Sequence, residues 1–315
     1  MLTNKVKAYI AILGVYTIIG INPILIRITV LTISPLDLLS YRMTIAFICV
    51  LIPVLLRKVK IKLTFRDFLT ILPAAFLYGI CFYSFQAITL TTLPSTEFGI
   101  VLAAIPIVTA ILATIFLKDK TNGVQALFIM ASVAGVVFLM LMRGASADDF
   151  NAQGVSFALL TIFVFSVVTI LMRRYTSKYP AYTFTFVMTA LGFVGYNVTN
   201  VIVRLTNGTI MQYYEPLSDW RFLLAVLFLG IAGMLGTSML TAFALKYIVP
   251  TKAIVFSNMS TAITMFLGAV FLSEPLHWYH ILGAVVIVVG VVGTNWASNA
   301  VREKRRAKRS GDPPK

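Results

Sequence analysis

"FLSEPLHWYH" (residues 271–280) places a Glu-Pro pair at the end of a long apolar run, and "FLKDKTNGVQ" (116–125) repeats its opening 155 residues earlier. With that offset, residues 106–137 align with 261–292 without a gap. Identities fall at Thr109, Leu112, Phe116, Leu117, Leu127, Val133, Gly135, Val136 and Val137, and Asp119 corresponds to Glu274. Self-similarity of this kind marks a duplicated chain. The two turns differ in one respect: Lys118 and Lys120 in the first copy correspond to Ser273 and Pro275 in the second.

The surrounding composition says what was duplicated. Of 315 residues, 59% are hydrophobic and only 12% charged, with a mean hydropathy of +0.92. A soluble domain carries about twice that share of charge, so this is a membrane protein. Apolar stretches long enough to cross the bilayer as helix recur at 8–30, 35–56, 67–89, 95–117, 123–143, 154–175, 180–204, 220–246, 250–272 and 278–298. The first is too long for a signal-peptide core and is not followed by a small-x-small cleavage site, so it counts as a span. The expected fold is an all-α integral membrane protein of ten transmembrane helices in two inverted five-helix repeats. Residues 1–150 form the first repeat, 151–300 the second, and 301–315 a basic tail.

Charge placement sets the orientation. With the N-terminus in the cytosol, 21 of the 26 Lys and Arg residues fall on the cytosolic side, the exceptions being Arg27, Arg42, Arg143, Arg204 and Arg221. This positive-inside bias fits an even number of spans with both termini inside. Five spans per copy is an odd number, so the second copy enters the bilayer upside down. That inversion explains why the lysines of one turn are replaced in its counterpart. The net charge of +15 follows from topology, and the tail "REKRRAKR" (302–309) is expected to meet anionic headgroups; a nucleic-acid partner is not expected.

At this level of detail the chain resembles the EamA branch of the drug/metabolite transporter superfamily. The matching stretches are "TTLPSTEFGIVLAAIPIVTAILATIFLKDK" (91–120) and "VPTKAIVFSNMSTAITMFLGAVFLSEPLHWYHILGAVVIVVGVV" (249–292), together with "LLSYRMTIAF" (38–47), which carries a tyrosine-arginine pair in the second helix. The resemblance spans 8–298. It departs from the family at Lys118-Asp119, where Gly-Glu is usual, and at Thr261, where the first copy keeps Pro106. It implies a central substrate cavity lined by helices 1–4 and 6–9, with helices 5 and 10 peripheral. It also implies transport of small metabolites, often export of amino acids, across the plasma membrane.

An ionisable group inside hydrocarbon costs roughly 2.5–3.5 kcal/mol on insertion scales, so such groups are functional candidates. Arg42, two turns into helix 2, and Glu97, one turn into helix 4, are expected either to pair with each other or to hold the carboxylate and amine of a zwitterion. Glu97 is then a candidate proton carrier. The bland alternative is a static ion pair near the interface, with Arg27 snorkelling to headgroups. In "GINPI" (20–24), Pro23 frees a backbone acceptor beside Asn22. Tyr78, Phe82 and Gln86, spaced i, i+4, i+8, share a face mixing aromatic surface with polar tips. Asn258 completes the candidate substrate-binding set, with Tyr16, Tyr83 and Ser257 of comparable standing.

Other signals point nowhere specific. Glu274, His277 and His280 have a spacing that suits metal ligands, but Asp119, Asn122 and Gln125 at the equivalent places make a poor ligand set, so neither metal nor cofactor is expected. Gly230, Gly233 and Gly236 permit close helix approach. Cys49 and Cys81 sit in apolar runs as small hydrophobes. The aromatic loop 205–219 suits an interface, and its sequon at Asn207 matters only in a secretory-pathway host. The chain contains no phosphate-binding loop. An intramembrane transferase would need paired carboxylates for Mg²⁺, and Asp148-Asp149 lies alone in a loop. The expected partners are a small-molecule substrate and membrane lipids, with proton coupling and a homodimer left open. Against export stand import of an organic cation or sugar-like metabolite, and a non-transporting receptor.

Overall fold

The structure is a computed structural model that describes residues 4–61, 63–117, 123–144, 152–175, 178–244, 247 and 257–310. Among these residues the chain forms ten helical spans. They are α1 (Asn4–Val30), α2 (Pro35–Leu55), α3 (Phe65–Thr92), α4 (Ser95–Leu102 continued by Ile105–Leu117), α5 (Gly123–Gly144) and α6 (Ala152–Tyr175). Then come α7 (Ala181–Thr206), α8 (Trp220–Leu227 through Thr237–Ala244), α9 (Ser257–Leu272) and α10 (Trp278–Ser310). Each expected span has a helix among the described residues, six of them long and apolar enough to cross a membrane; residues 250–256 of the expected 250–272 span lie outside the described residues. Two bounds shift: α10 continues as one helix well past 298, through the basic tail, and α4 is broken at Ala103–Ala104. The turn 118–122 lies outside the described residues.

Local chemistry places the helix starts. Pro35 opens α2 behind Ser34, whose hydroxyl accepts from the Leu36 N–H at 3.2 Å, a first-turn proline having no N–H to lose. α3 starts on a capping box in which Thr64 and Asp67 each accept from the other's backbone N–H. Pro94 and Pro180 precede α4 and α7 in extended conformation. Large apolar side chains such as Leu55, Phe116, Leu141 and Phe271 stand on the outside. That is the expected arrangement where lipid is the solvent and the backbone bonds internally.

The end of the bundle where α1 passes into α2 is called upper here, and the opposite end lower. The helix packing reproduces the inversion. α1 lies against α9 as α6 lies against α4; α3 lies against α6 as α8 lies against α1; α3 meets α7 as α8 meets α2. Three pairs, α2 with α7, α4 with α9 and α5 with α10, are their own counterparts. α5 and α10 contact each other far more than the rest of the bundle.

Small residues allow this closeness. A Cβ at Gly79 would fall 2.8 Å from the Met188 carbonyl oxygen on α7, and one at Gly230 would fall 3.1 Å from the Arg42 carbonyl oxygen on α2. Gly20 on α1 and Gly99 on α4 both abut α9, where Thr264 donates to the Gly20 carbonyl at 2.7 Å and Thr261 to that of Gly99 at 3.2 Å. Thr261 thus uses its hydroxyl to join two helices at the position where the first copy has proline. Of the three glycines in α8, Gly230 and Gly233 face neighbouring helices, whereas a Cβ at Gly236 would meet only its own helix, at 3.5 Å or more.

A difference in stability follows. Gly79→Ala forces a new atom against backbone and is expected to cost about 1–3 kcal/mol, whereas Gly236→Ala should be near neutral. Thermal unfolding in detergent measures both, and equal losses would contradict the packing.

Candidate functional site

Both copies break the α-helix at midspan, at equivalent places. α3 widens into a π-helical turn over Leu77–Phe82, and α8 does so over Phe228–Gly236. The 155-residue offset carries the start of the first into the second. Turns of this kind are uncommon and cluster at functional sites, because the wider winding displaces carbonyls from the regular ladder. In α3 the Tyr196 hydroxyl on α7 donates to the Ile80 carbonyl at 2.7 Å and lies 2.9 Å from Ser84 Oγ. Gly79 lets α7 come this close.

Arg42 reaches the same region from α2. It is 2% exposed, and its Nε and Nη1 have no hydrogen-bond partner. Its guanidinium sits over the Tyr83 ring, 4.5 Å from the centroid, a favourable placement for a desolvated cation. Around it is an aromatic cluster drawn from three helices. Tyr78 stacks on Tyr83 at 5.4 Å and meets Phe82 at 5.1 Å; Phe165 of α6 lies 5.3 Å from Phe82, and Phe184 of α7 lies 6.4 Å from Tyr78. The result is a buried cation with unused donors, walled by rings. Asn22, beside Pro23 in α1, has a buried Oδ1 without a partner and faces Gly233 in the π turn of α8.

The expected residues therefore divide. Arg42, Tyr78 and Phe82 come together, with Gln86 buried one turn above Phe82. Asn22 stands at the second π turn. Glu97 is elsewhere: in the first turn of α4, 3.9 Å from His280 Nε2 on α10. Arg42 and Glu97 thus have different neighbours, ring faces for one and an imidazole for the other. Asn258 is near the start of α9, with its side chain outside the described residues. Arg27 does not snorkel as its bland reading expected; its Nη1 donates to the Leu90 carbonyl at 2.6 Å, joining α1 to the top of α3.

Further polar groups tie the two repeats together at the upper end. Asp37, buried in the first turn of α2, receives Arg204 Nη2 of α7 at 2.9 and 2.8 Å on its two oxygens, and Asn200 Nδ2 at 2.8 Å. Arg204 also donates to Asn200 Oδ1 at 3.2 Å and to the Thr209 carbonyl at 3.3 Å. A 3₁₀ segment, Ile210–Ser218, crosses above: Tyr41 donates to the Tyr213 carbonyl, and the Tyr213 hydroxyl donates to Asn197 Oδ1 at 2.7 Å. Burial raises the Tyr213 pKa, so this hydroxyl remains a donor.

The second upper tie answers why the duplicate keeps an acid after its "FL". Glu274 bends back onto the start of α4. Its Oε1 accepts from the Ser95 N–H at 2.7 Å, its Oε2 from the Thr96 N–H at 2.8 Å, and both accept from Ser95 Oγ at 2.9 Å. Those N–H groups are the first of the helix and have no intrahelical acceptor, and the positive end of the helix favours an anion. The bend needs Ser273 at a positive φ of 52° and a glycine at 268, where a Cβ would lie 2.6 Å from Glu274 Oε2.

The lower end is tied more lightly. Lys178 Nζ lies 3.0 Å from Asp67 Oδ1, and the Tyr179 hydroxyl donates to the same oxygen at 2.6 Å. These bonds to Tyr179 and Asp67 raise the Lys178 pKa and keep it protonated. Tyr182 donates to the Val50 carbonyl at 2.6 Å, at the opposite end of the same α2–α7 pair that Asp37 and Arg204 clamp.

Comparison with known proteins agrees with this architecture. The profile of the EamA-like transporter family matches residues 6–141 and again residues 152–296. The uncharacterized transporter YcxC of Bacillus subtilis (strain 168) is 36% identical over 312 residues, covering 99% of this chain and 98% of that one. A WAT1-related protein of Arabidopsis thaliana is 25% identical over 273 residues, covering 77% of this chain and 71% of its own length. One solved crystal structure shares the fold, with a TM-score of 0.57 at 19% identity, over 90% of this chain and 97% of that one.

Proposed function

The chain belongs to the EamA-like transporter family, and from that premise we propose a secondary active carrier that works by alternating access about the Arg42 region. The family makes it a multi-pass membrane transporter. Beyond that, the reading is export of a small metabolite across the plasma membrane, with both termini cytoplasmic. One observation carries it: two inverted halves interrupt equivalent helices at the same depth, on either side of a buried unpaired cation. Interrupted helices at the repeat interface are where carriers hold substrate.

The ties at the two ends support a gating role, because the Asp37–Arg204, Glu274–α4 and Asp67–Lys178 contacts each join one repeat to the other. The upper ties are buried at Asp37 and half-buried at Glu274. The lower latch is not, with the Lys178 side chain 70% exposed, and an exposed pair is worth only about 0.2–1 kcal/mol. In this reading the lower end opens first and the upper end stays shut until substrate is bound. Glu97, paired with His280, is the place to look for proton coupling.

Counterflow of labelled metabolites in proteoliposomes tests transport directly, and no exchange with any candidate solute would end the carrier reading. Orientation has its own test. With Cys49 and Cys81 replaced, single cysteines at 118–120 should be reached by an impermeant maleimide only from the cytosol, and those at 273–275 only from outside. Labelling of both from one side would overturn the proposed topology.

A further inference from the structure

Arg42 constrains what is carried, given the carrier reading above. A buried arginine is normally paired, because a bare charge in low dielectric is expensive. Here Nε and Nη1 have no acceptor, and between them they hold three of the guanidinium's five N–H donors. What the protein supplies instead is ring surface. The ionisable side chains acting on Arg42 are Tyr83, Tyr78 and Tyr196, all hydroxyls. None of them is a carboxylate.

The acidic residues are elsewhere. Asp37, five residues before Arg42 on α2 and so about 7.5 Å along the helix, is held by both Arg204 and Asn200. Glu274 is engaged with the start of α4, Glu97 is beside His280, and Asp67 is at the lower end. By sequence the remaining acids fall in turns, in loops or in the tail. An amino acid carries its ammonium and carboxylate on one carbon. Anchored by its carboxylate on Arg42, it would bury an ammonium among Tyr78, Phe82 and Tyr83 with no acid in reach. A ring face attracts a cation, but Tyr83 already carries Arg42, and two like charges on one small cluster repel.

We infer that the substrate is a small organic monoanion: an acidic group on a flat apolar body, bound with its charge on Arg42 and its body among Tyr78, Phe82, Tyr83, Phe165 and Phe184. Tyr196 fixes the winding of α3 at Ile80 and thereby the position of these rings; it is a positioning residue. The mixture of one cation with aromatic walls rewards a planar acid twice, by a charge-assisted hydrogen bond and by ring packing.

Four probes that share a phenylpropyl frame and differ in charge test this: 3-phenylpropanoate, phenylalanine, 3-phenylpropylamine and 3-phenylpropanol. Binding to the purified full chain in lipid nanodiscs is read by saturable thermal protection. The acid is expected to bind tightest, the alcohol next, and the zwitterion and amine weakest. Since a hydrogen bond to a charged group is worth about 1.5–3 kcal/mol, Arg42→Met should weaken the acid by about tenfold or more and leave the alcohol much less affected. Arg42→Lys should retain part of the preference for the acid. Should Arg42→Met not fold, the order of the four probes on the unmodified chain still decides. Phenylalanine binding as tightly as phenylpropanoate, or no protection by any of the four, overturns the inference. Binding in the expected order without counterflow in liposomes would leave the anion site standing and sink the carrier reading. Counterflow of zwitterions without any preference for the acid would do the reverse.

Discussion

Glu274→Ala is expected to be among the most damaging single substitutions outside the central site. It removes four hydrogen bonds at once and strips the acceptors from the first two N–H groups of α4. Hydrogen bonds to an ionised group contribute about 1.5–3 kcal/mol each, and leaving a buried donor unmet adds its desolvation cost. Shared geometry makes these values less than additive, so a loss of about 3–5 kcal/mol is a reasonable expectation. Thermal unfolding and gel-filtration profile in detergent would show it as early melting and aggregation. Glu274→Gln keeps the shape and one acceptor oxygen, and should fall between. Gly268→Ala attacks the same contact from behind, since its Cβ would sit 2.6 Å from Glu274 Oε2, and should resemble Glu274→Gln. If Glu274→Ala melted like the parent, the cap would be dispensable and the upper tie would have to come from the Asp37–Arg204 and Tyr41–Tyr213 contacts.

The second large effect belongs to Asp37 and Arg204. Arg204→Met leaves a carboxylate buried in the first turn of α2 with only Asn200 to face it, and breaking one side of a buried pair costs about 3–5 kcal/mol. Removing both charges, as in Asp37→Leu with Arg204→Met, should recover much of that loss, because the residual unpaired charge is what is costly. A double-mutant cycle on thermal stability reads the difference. A double variant worse than either single would mean that the pair stabilises by more than mutual neutralisation. In transport assays the double variant should leak through the upper end, if that end is the outer gate.

The architecture was legible because its signals are collective. Ten apolar runs, an offset duplication and a one-sided distribution of lysine and arginine are each written across many residues, and the packing of α1 on α9 mirrored by α6 on α4 repeats what the offset predicted. The site was legible only in part. Arg42, Tyr78 and Phe82 announce themselves by a charge inside a span and by helical spacing. Phe165, Phe184 and Tyr196 come from α6 and α7, and nothing in their own neighbourhoods distinguishes them from other aromatics of the bundle. The π turns also left no clear local mark. α8 is rich in glycine where it widens, but α3 has Gly79 alone in its turn.

Pairwise contacts were the least legible. Asp37 and Arg204 are 167 positions apart, and Ser95 and Glu274 are 179 apart. A sequence read in windows shows Arg204 as a basic residue at a helix end and Glu274 as a member of a polar facet beside His277 and His280. Only the fold shows that Glu274 faces α4 while His280 faces Glu97. The mutual pair that is one of the two alternatives for Arg42 and Glu97 is not formed, for the same reason: lying toward the same end of two spans does not imply a shared neighbour.

The self-paired helices have a geometric consequence. A two-fold axis relating the halves must pass through the α2–α7, α4–α9 and α5–α10 seams, because these pairs map onto themselves. Points near such an axis are displaced least when the halves exchange roles, while distant loops sweep furthest. Arg42 is on α2, a member of one of these pairs. On the alternating-access reading proposed above, the positive charge would keep its place in the bilayer as the surroundings pivot, and a cargo bound to it would change sides by a change in which door stands open, without itself being ferried.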